Sequence, residues 1–123
     1  MRFVVDSVSA ARMADLAEVL NDPNPIHLDP LVVQRLGMGE RVINQGPANC
    51  SYVVNILRAA FPDGVIEALS FRLLGNVFAS ERVIAGGEIE RRSGDAVHCR
   101  VWLDVEGRGR VVEGTATIRP TIR

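Results

Sequence analysis

The segment Asp22-Pro23-Asn24-Pro25-Ile26-His27-Leu28-Asp29 interrupts the first half of the chain with two prolines. Each proline lacks an amide hydrogen and restricts the residue before it, so a helix that precedes the segment must end there. Pro25 suits the first position of a short new helix, which Asn24 would cap. An Asp-Pro pair at residues 29–30 repeats the pattern and predicts a further turn that reaches Leu36. The segment therefore predicts a stiff corner between two longer elements.

The residues before this corner predict a strand followed by a helix. Residues 2–6 are suited to a short strand, and Ser9 is a good cap for a helix over residues 10–20. The apolar side chains of that helix fall on one stripe, with the i, i+3, i+4 and i+7 spacing of Met13, Leu16, Ala17 and Leu20.

The residues after the corner predict the most apolar helix of the chain. Residues 39–44 are a connector, and the pair Gly46-Pro47 then opens a helix from Ala48 to about Ala60. Its apolar side chains cover most of the circumference, which predicts burial on several sides. The triplet at residues 62–64, Pro-Asp-Gly, ends this helix and turns the chain.

From Val65 onward the hydrophobic period changes from that of a helix to that of a strand. Residues 83–89 and 111–118 alternate, and the clearest alternation has its apolar members at Val97, Cys99, Val101, Leu103 and Val105. Glycine-containing turns at 93–95 and 107–109 join these strands into an antiparallel meander. Helices first and strands afterwards predict an α+β protein, with residues 1–123 forming a single domain.

Composition excludes several classes of function. A net charge of −1 argues against nucleic acid as a partner, and the absence of lysine excludes Schiff-base and P-loop lysine chemistry. No apolar run is long enough for a membrane span, and the first residues do not form a signal region, so we expect a cytoplasmic protein. The two cysteines, Cys50 and Cys99, are expected to be buried apolar residues, and we expect no metal site.

Two motifs resemble those of a known family. The pattern D-x-N-P-[LIV]-H, typical of the MaoC-like, or (R)-specific enoyl-CoA hydratase (hydratase 2), family, is filled by Asp22, Asn24, Pro25, Ile26 and His27. A second family motif, [IV]-x-H-G-M, opens the long helix, and residues 43–47 (Ile-Asn-Gln-Gly-Pro) are similar to it. Here Gln45 replaces the family's histidine, while Gly46 is kept.

The resemblance implies a hot-dog fold, in which an antiparallel sheet wraps around a long central helix. It also implies the reversible hydration of a trans-2-enoyl thioester to an (R)-3-hydroxyacyl thioester, with Asp22 and His27 as the catalytic pair. The family's oxyanion donor is a glycine amide that aligns with Gly46, and the residue that aligns with Gln45 lines the substrate site. No cofactor is implied beyond the coenzyme A or phosphopantetheine that carries the substrate.

The chemistry of these residue types suits that reaction. An imidazole such as that of His27 gains or loses a proton near neutral pH, and a carboxylate such as that of Asp22 can hold the same water or orient the ring. Asn24 can lock the loop while it caps the helix. At the start of the long helix, the amide of Gly46 would stabilise a negative thioester oxygen with the help of the helix dipole.

Alternatives and partners remain open at this point. Because Gln45 departs from the family, a non-catalytic or partner-dependent hot-dog subunit that binds an acyl thioester is the alternative, and an acyl thioesterase on the same fold is another. The family usually pairs, so we expect a homodimer or a hot-dog heteromer. Trp102 lies on the outward face of its strand and marks either a subunit contact or packing beside a neighbouring side chain.

Overall fold

The structure, a computed structural model, describes residues 1–120. The five strands are β1 (Arg2–Val5), β2 (Gly64–Leu73), β3 (Val83–Ser93), β4 (Ala96–Val105) and β5 (Gly109–Pro120). The α-helices are α1 (Ala10–Val19), α2 (Pro30–Arg35) and α3 (Gly46–Ala60), and a single 3-10 turn, Pro25–His27, precedes α2. The element order therefore agrees with the order predicted from the hydrophobic periods.

The strands form one antiparallel sheet in the order β1-β3-β4-β5-β2. Strands β3, β4 and β5 are neighbours in space as in sequence, which confirms the predicted meander and the α+β class. The turns between them use glycines with positive φ, at Gly94 (φ 59°) and Gly107 (φ 83°), a backbone conformation that residues with a Cβ rarely adopt.

Helix α3 packs on one face of this sheet and supplies the centre of the core. Val53, Ile56 and Leu57 of α3 are buried against the inward-facing strand residues Val83, Ala85, Cys99, Val101, Leu103 and Val112. The prediction that α3 is buried on several sides is wrong for the chain by itself. Its opposite side, with Ser51, Asn55 and Arg58, is exposed, because the sheet covers only one side of the helix.

Strand β3 loses its predicted alternation beyond its midpoint. Ile89, predicted to face the core, is 44% exposed. Strand β1 pairs with β3 only as far as Gly86, and the β3–β4 register shifts between Ile89 and Arg91. The second half of β3 therefore lies at a sheet edge with an irregular pleat, which sequence alternation does not reveal.

The helix ends follow the predicted caps. The Ser9 hydroxyl accepts the Arg12 amide hydrogen (3.2 Å), and Asp29 Oδ1 accepts that of Leu31 (2.9 Å). Helix α3 begins at Gly46, two residues before the predicted Ala48, because proline is compatible with the first turn of a helix.

Three smaller findings concern the cysteines, metals and membranes. Cys99 is buried and Cys50 half-buried, and both thiols are free. Burial raises the pKa of each thiol. Within residues 1–120 there is no group of three histidine, cysteine or acidic side chains placed to hold a metal ion. Across the same range, no helix combines the length and the apolar character that a membrane crossing requires.

Candidate functional site

Two consecutive side-chain-to-backbone hydrogen bonds shape the corner. Asp22 Oδ1 accepts the Asn24 amide hydrogen at 3.2 Å, and Asn24 Oδ1 accepts that of Ile26, also at 3.2 Å. Each bond spans two residues, the pattern by which Asp and Asn fix a turn. Asn24 is exposed and acts on the backbone, as predicted for a loop-supporting residue. The second oxygen of Asp22, Oδ2, is left to face the next turn.

His27 is brought into contact with this free carboxylate oxygen. Its Nε2 lies 3.4 Å from Asp22 Oδ2, and the imidazole is 9% exposed whereas the carboxylate is 36% exposed. Its Nδ1 donates a hydrogen bond of 2.6 Å to the carbonyl oxygen of Ile43. Because a carbonyl can only accept, this bond keeps a proton on Nδ1. Nε2 is therefore the ring nitrogen that faces Asp22 and can accept a hydrogen bond.

The segment around Ile43, whose carbonyl accepts the hydrogen bond from His27, is held by backbone hydrogen bonds on both sides. Ile43 donates its amide hydrogen to the Ile26 carbonyl (2.9 Å) and forms a β-bridge with Phe78. Its neighbours add hydrogen bonds to the same loop, from Asn44 to the Val77 carbonyl (2.7 Å) and from Ala79 to the carbonyl of residue 42 (2.9 Å). The imidazole is thus fixed against backbone, not against a mobile side chain.

A salt bridge that the sequence analysis did not single out supports this loop. Glu81 accepts the Phe78 amide hydrogen (2.8 Å) and two hydrogen bonds from Arg108, each 2.7 Å long. The guanidinium of Arg108 also lies 5.4 Å from the centre of the Phe78 ring. The hydrogen bond from Arg108 lowers the pKa of Glu81 below its ordinary value. No local pattern could have predicted this pair, since the partners lie 27 residues apart.

Gly46 is the first residue of α3. An amide in the first turn of a helix has no acceptor within the helix, and it lies at the positive end of the helix dipole. A Cβ at Gly46 would meet Leu73 Cδ1 at 3.2 Å, so the end of β2 bounds the space beside this residue. Gly46, the predicted oxyanion residue, thus lies at a helix start, where its amide has no acceptor within the helix. The exposed side chain of Leu73 partly covers it.

Gln45 occupies the N-cap position of α3, but its side chain forms no capping hydrogen bond with the helix. It is 1% exposed, and its Nε2 donates to the Met13 carbonyl at 2.8 Å, which ties the start of α3 to α1. Its Oε1 is buried and has no hydrogen-bond partner among residues 1–120. Its role as a residue that lines the substrate site stays a prediction, because the contact observed is with α1.

A recess of about 390 Å³ opens beside His27. Most of its lining is apolar, and it includes Ala10, Ala14, Leu28, Val42 and Ala79. On the other side of Leu28, a second recess of about 260 Å³ borders Asp22. An acid–base pair beside apolar walls is an arrangement that can hold a water next to an apolar substrate.

Comparison with solved structures identifies the architecture. An (R)-hydratase from A. caviae involved in PHA biosynthesis is similar over 98% of this chain and 93% of its own, with a TM-score of 0.90 and 23% identity. The chain has the hot-dog fold. The predicted resemblance to MaoC-like proteins is therefore confirmed at the level of the fold. No protein-family model and no curated protein sequence matches the chain.

Other hot-dog structures differ in assembly and activity. The ChsH1-ChsH2 complex from Mycobacterium tuberculosis is similar over 98% of this chain and 94% of that one (TM-score 0.87, 15% identity). A hypothetical thioesterase from Streptococcus pneumoniae is similar over 66% of this chain and 70% of that one (TM-score 0.61, 16% identity). The fold alone therefore does not select one chemistry, which must be argued from the site.

Proposed function

We propose that the protein is an (R)-specific hydratase/dehydratase that interconverts trans-2-enoyl and (R)-3-hydroxyacyl thioesters. The observation that carries this proposal is the contact between Asp22 Oδ2 and Nε2 of the nearly buried His27. The (R) stereochemistry rests on the resemblance of the motif that contains these two residues.

The reaction needs one proton acceptor and one proton donor on the same face of the substrate. A water held between Asp22 and His27 loses a proton to this pair while its oxygen bonds to C3 of the enoyl group. The π bond between C2 and C3 breaks, and C2 takes a proton from the pair, so that one water is added and no proton is gained or lost. Because Nδ1 is tied to Ile43, the ring acts through Nε2.

The thioester oxygen gains negative charge as water adds. We place it at the amide of Gly46, where the helix dipole of α3 favours an anion and the absence of a Cβ allows close approach. This step requires the carrier thioester, coenzyme A or phosphopantetheine, and no other cofactor.

Hydration is tested by the loss of absorbance of the conjugated enoyl group across a panel of enoyl-CoA chain lengths. The wild type, Asp22→Asn and His27→Ala are compared in parallel, and His98→Ala is the matched control because His98 is the only other histidine. We expect loss of activity in the first two variants only. Unchanged absorbance with folded wild-type protein at every chain length would refute the proposal.

A partner-dependent subunit is the second candidate. Gln45 in place of the family's histidine favours it, and so does the similarity to a structure that is a complex of two proteins. Activity that survives Asp22→Asn in the presence of a co-purifying hot-dog protein would establish this role. Release of free thiol from a saturated acyl-CoA would instead establish a thioesterase.

We also propose that the chain pairs through the free edge of β2. Within residues 1–120 this ten-residue strand hydrogen-bonds to one neighbouring strand, β5, and it exposes Val65 (53%), Leu69 (38%) and Leu73 (59%). Exposed apolar edge strands invite pairing with another chain. Light scattering at micromolar concentration should give an even number of chains, and a strictly monomeric species would contradict pairing.

A further inference from the structure

A cavity of about 840 Å³ lies between β1, α1 and α3. It is more than twice the volume of the 390 Å³ recess beside His27. Helix α1 borders both spaces, since Arg12 and Leu16 line the larger one while Ala10 and Ala14 line the smaller. The proposed reaction at Asp22 and His27 does not by itself account for this larger space.

The cavity reaches the start of α3, where the thioester oxygen is proposed to bind. Asn44 and Ala48 both line it, and these two residues flank Gly46 along the chain. Asn44 also directly follows Ile43, the residue that accepts the hydrogen bond from His27. A thioester held at Gly46 would therefore have the mouth of this cavity beside it.

The α3 side of the cavity is polar. Ala48, Ser51, Tyr52 and Asn55 have the i, i+3, i+4 and i+7 spacing of one helix face, and all four line the space. Asn44 Nδ2 donates to Asn49 Oδ1 (2.8 Å) and to the Tyr52 hydroxyl oxygen (3.2 Å). Because the Tyr52 oxygen accepts from Asn44, its own hydrogen is left to donate elsewhere.

The opposite side of the cavity combines apolar and charged residues. Its half-buried apolar side chains are Phe3, Val5 and Leu16, and the charged residues that line the same side are Asp6, Arg12 and Asp15. The Phe3 ring stacks on the Tyr52 ring with their centres 6.4 Å apart, so the two sides of the cavity meet at Tyr52. A ligand that fills this space meets hydrocarbon and charged groups on one side and neutral hydrogen-bonding groups on the other.

We propose that this cavity binds the acyl chain of the thioester and selects chains that carry a hydroxyl or keto oxygen far from the thioester. The inference rests on the proposed function and specifies its substrate class. At a rise of about 1.5 Å per residue, Tyr52 and Asn55 lie roughly 9 and 13 Å beyond Gly46 along α3. The oxygen is therefore expected at that distance from the thioester.

The selection depends on whether Tyr52 and Asn55 keep hydrogen-bond partners when the ligand is bound. A purely aliphatic chain would displace water from Tyr52 and Asn55 without replacing its hydrogen bonds, which is unfavourable. A keto oxygen accepts from the Tyr52 hydroxyl, and a hydroxyl can also pair with the Asn55 amide. Sites built to hydrogen-bond an oxygen discriminate strongly against analogues that lack it.

Binding of saturated acyl-CoA esters tests this inference without turnover. Two esters of equal length are compared by calorimetry with the intact protein, one plain and one with a keto group near the far end of the chain. We expect the keto ester to bind at least about tenfold more tightly. Equal affinities, or tighter binding of the plain ester, would overturn the inference.

Variants locate the selectivity in the cavity. Tyr52→Phe removes only the hydroxyl, and Asn55→Ala changes an exposed side chain, so both are expected to fold, as checked by thermal unfolding. Each should reduce the keto-to-plain affinity ratio by at least about threefold, whereas Asn76→Ala, at an exposed asparagine outside the cavity, should leave it unchanged. A ratio that is the same in all variants would place the selectivity elsewhere and refute the assignment.

Hydration of a four-carbon enoyl-CoA, too short to reach Tyr52, separates this inference from the proposed function. Hydration of the short substrate without keto selectivity would overturn the inference alone. Keto selectivity without hydration of any substrate would overturn the proposed hydratase and leave the cavity as an oxygenated-acyl binding site.

Discussion

The two sets of contacts that hold His27 differ in how far along the chain they reach. On one side, Asp22 and Asn24 form a corner from hydrogen bonds that span two residues each. On the other side, the imidazole bonds to Ile43, 16 residues away, whose segment pairs with the loop that Glu81 and Arg108 clamp. The near contacts place chemical groups at the site, and the distant ones fix where those groups point.

The largest expected effect comes from the near side. His27→Ala and Asp22→Asn should each lower kcat by about 10²- to 10⁴-fold in enoyl-CoA hydration, since each removes a proton-transferring group or its partner. Steady-state kinetics with a short enoyl-CoA measures this. An equal loss in the His98→Ala control would show that the effect is not specific to the corner.

Gly46→Ala tests the proposed oxyanion amide at the start of α3, which follows the segment around Ile43 along the chain. The new methyl group meets only the flexible end of Leu73, so the variant should fold, while crowding at the thioester oxygen should lower kcat/KM by about 10²-fold. Comparison with Gly46→Ala/Leu73→Ala separates the two causes. Full recovery of activity in the double variant would show that the methyl group lowers activity by displacing Leu73 and not by crowding the thioester oxygen.

Glu81→Gln tests the distant clamp and should act mainly on stability. Glu81 is 9% exposed and hydrogen-bonded to a charged partner, so we expect a loss of about 1–2 kcal/mol at neutral pH, moderated because Arg108 is 41% exposed. Since the pKa of Glu81 is lowered in the fold, its contribution is present above its ordinary value of 4.5 and is lost as the pH falls through the folded value.

Urea unfolding of the wild type and Glu81→Gln over a range of pH values measures this difference. The gap between the two proteins should be constant near neutral pH and should narrow on acidification below 4.5. A gap that widens on acidification would show that Arg108 does not stabilise the ionised form of Glu81.

The smallest effect is expected from Asp29→Ala, at the edge of the corner. Asp29 caps α2 through the Leu31 amide, so its loss should cost about 1 kcal/mol of unfolding free energy and leave hydration unchanged. Urea unfolding and the hydration assay are run on the same preparation. A folded variant without activity would place Asp29 in the reaction itself.

The sequence predicted the features that depend on residues close together in the chain. The caps at Ser9, Asn24 and Asp29 are all confirmed, because a capping side chain bonds to a backbone amide two or three residues later. The alternating strands are confirmed where neighbours cover both edges, and the prediction is wrong at Ile89, where β1 has already ended. Edge positions depend on the length of a partner strand, which no local pattern records.

The contacts of the candidate site also fall into local ones, which the sequence indicated, and distant ones, which it did not. The resemblance of the motif implied that Asp22 and His27 form a pair, and the structure brings them together, although their catalytic role stays a prediction. The bond from Gln45 to Met13 and the bridge from Ile43 to Phe78 join elements far apart in sequence. Such contacts form only once the sheet and helices have assembled, so residue type and spacing gave no sign of them.

The single tryptophan lies on the face of the sheet that points away from α3. The indole of Trp102 covers Gly86, where an added Cβ would clash with Nε1, and the guanidinium groups of Arg100 and Arg110 lie 5.6 and 4.8 Å from its ring. Packing within the chain therefore accounts for this outward aromatic side chain. Its fluorescence should change when the strands unfold and should not change when a ligand fills the cavity on the other face of the sheet. Trp102 therefore gives an optical measure of folding that is independent of ligand binding.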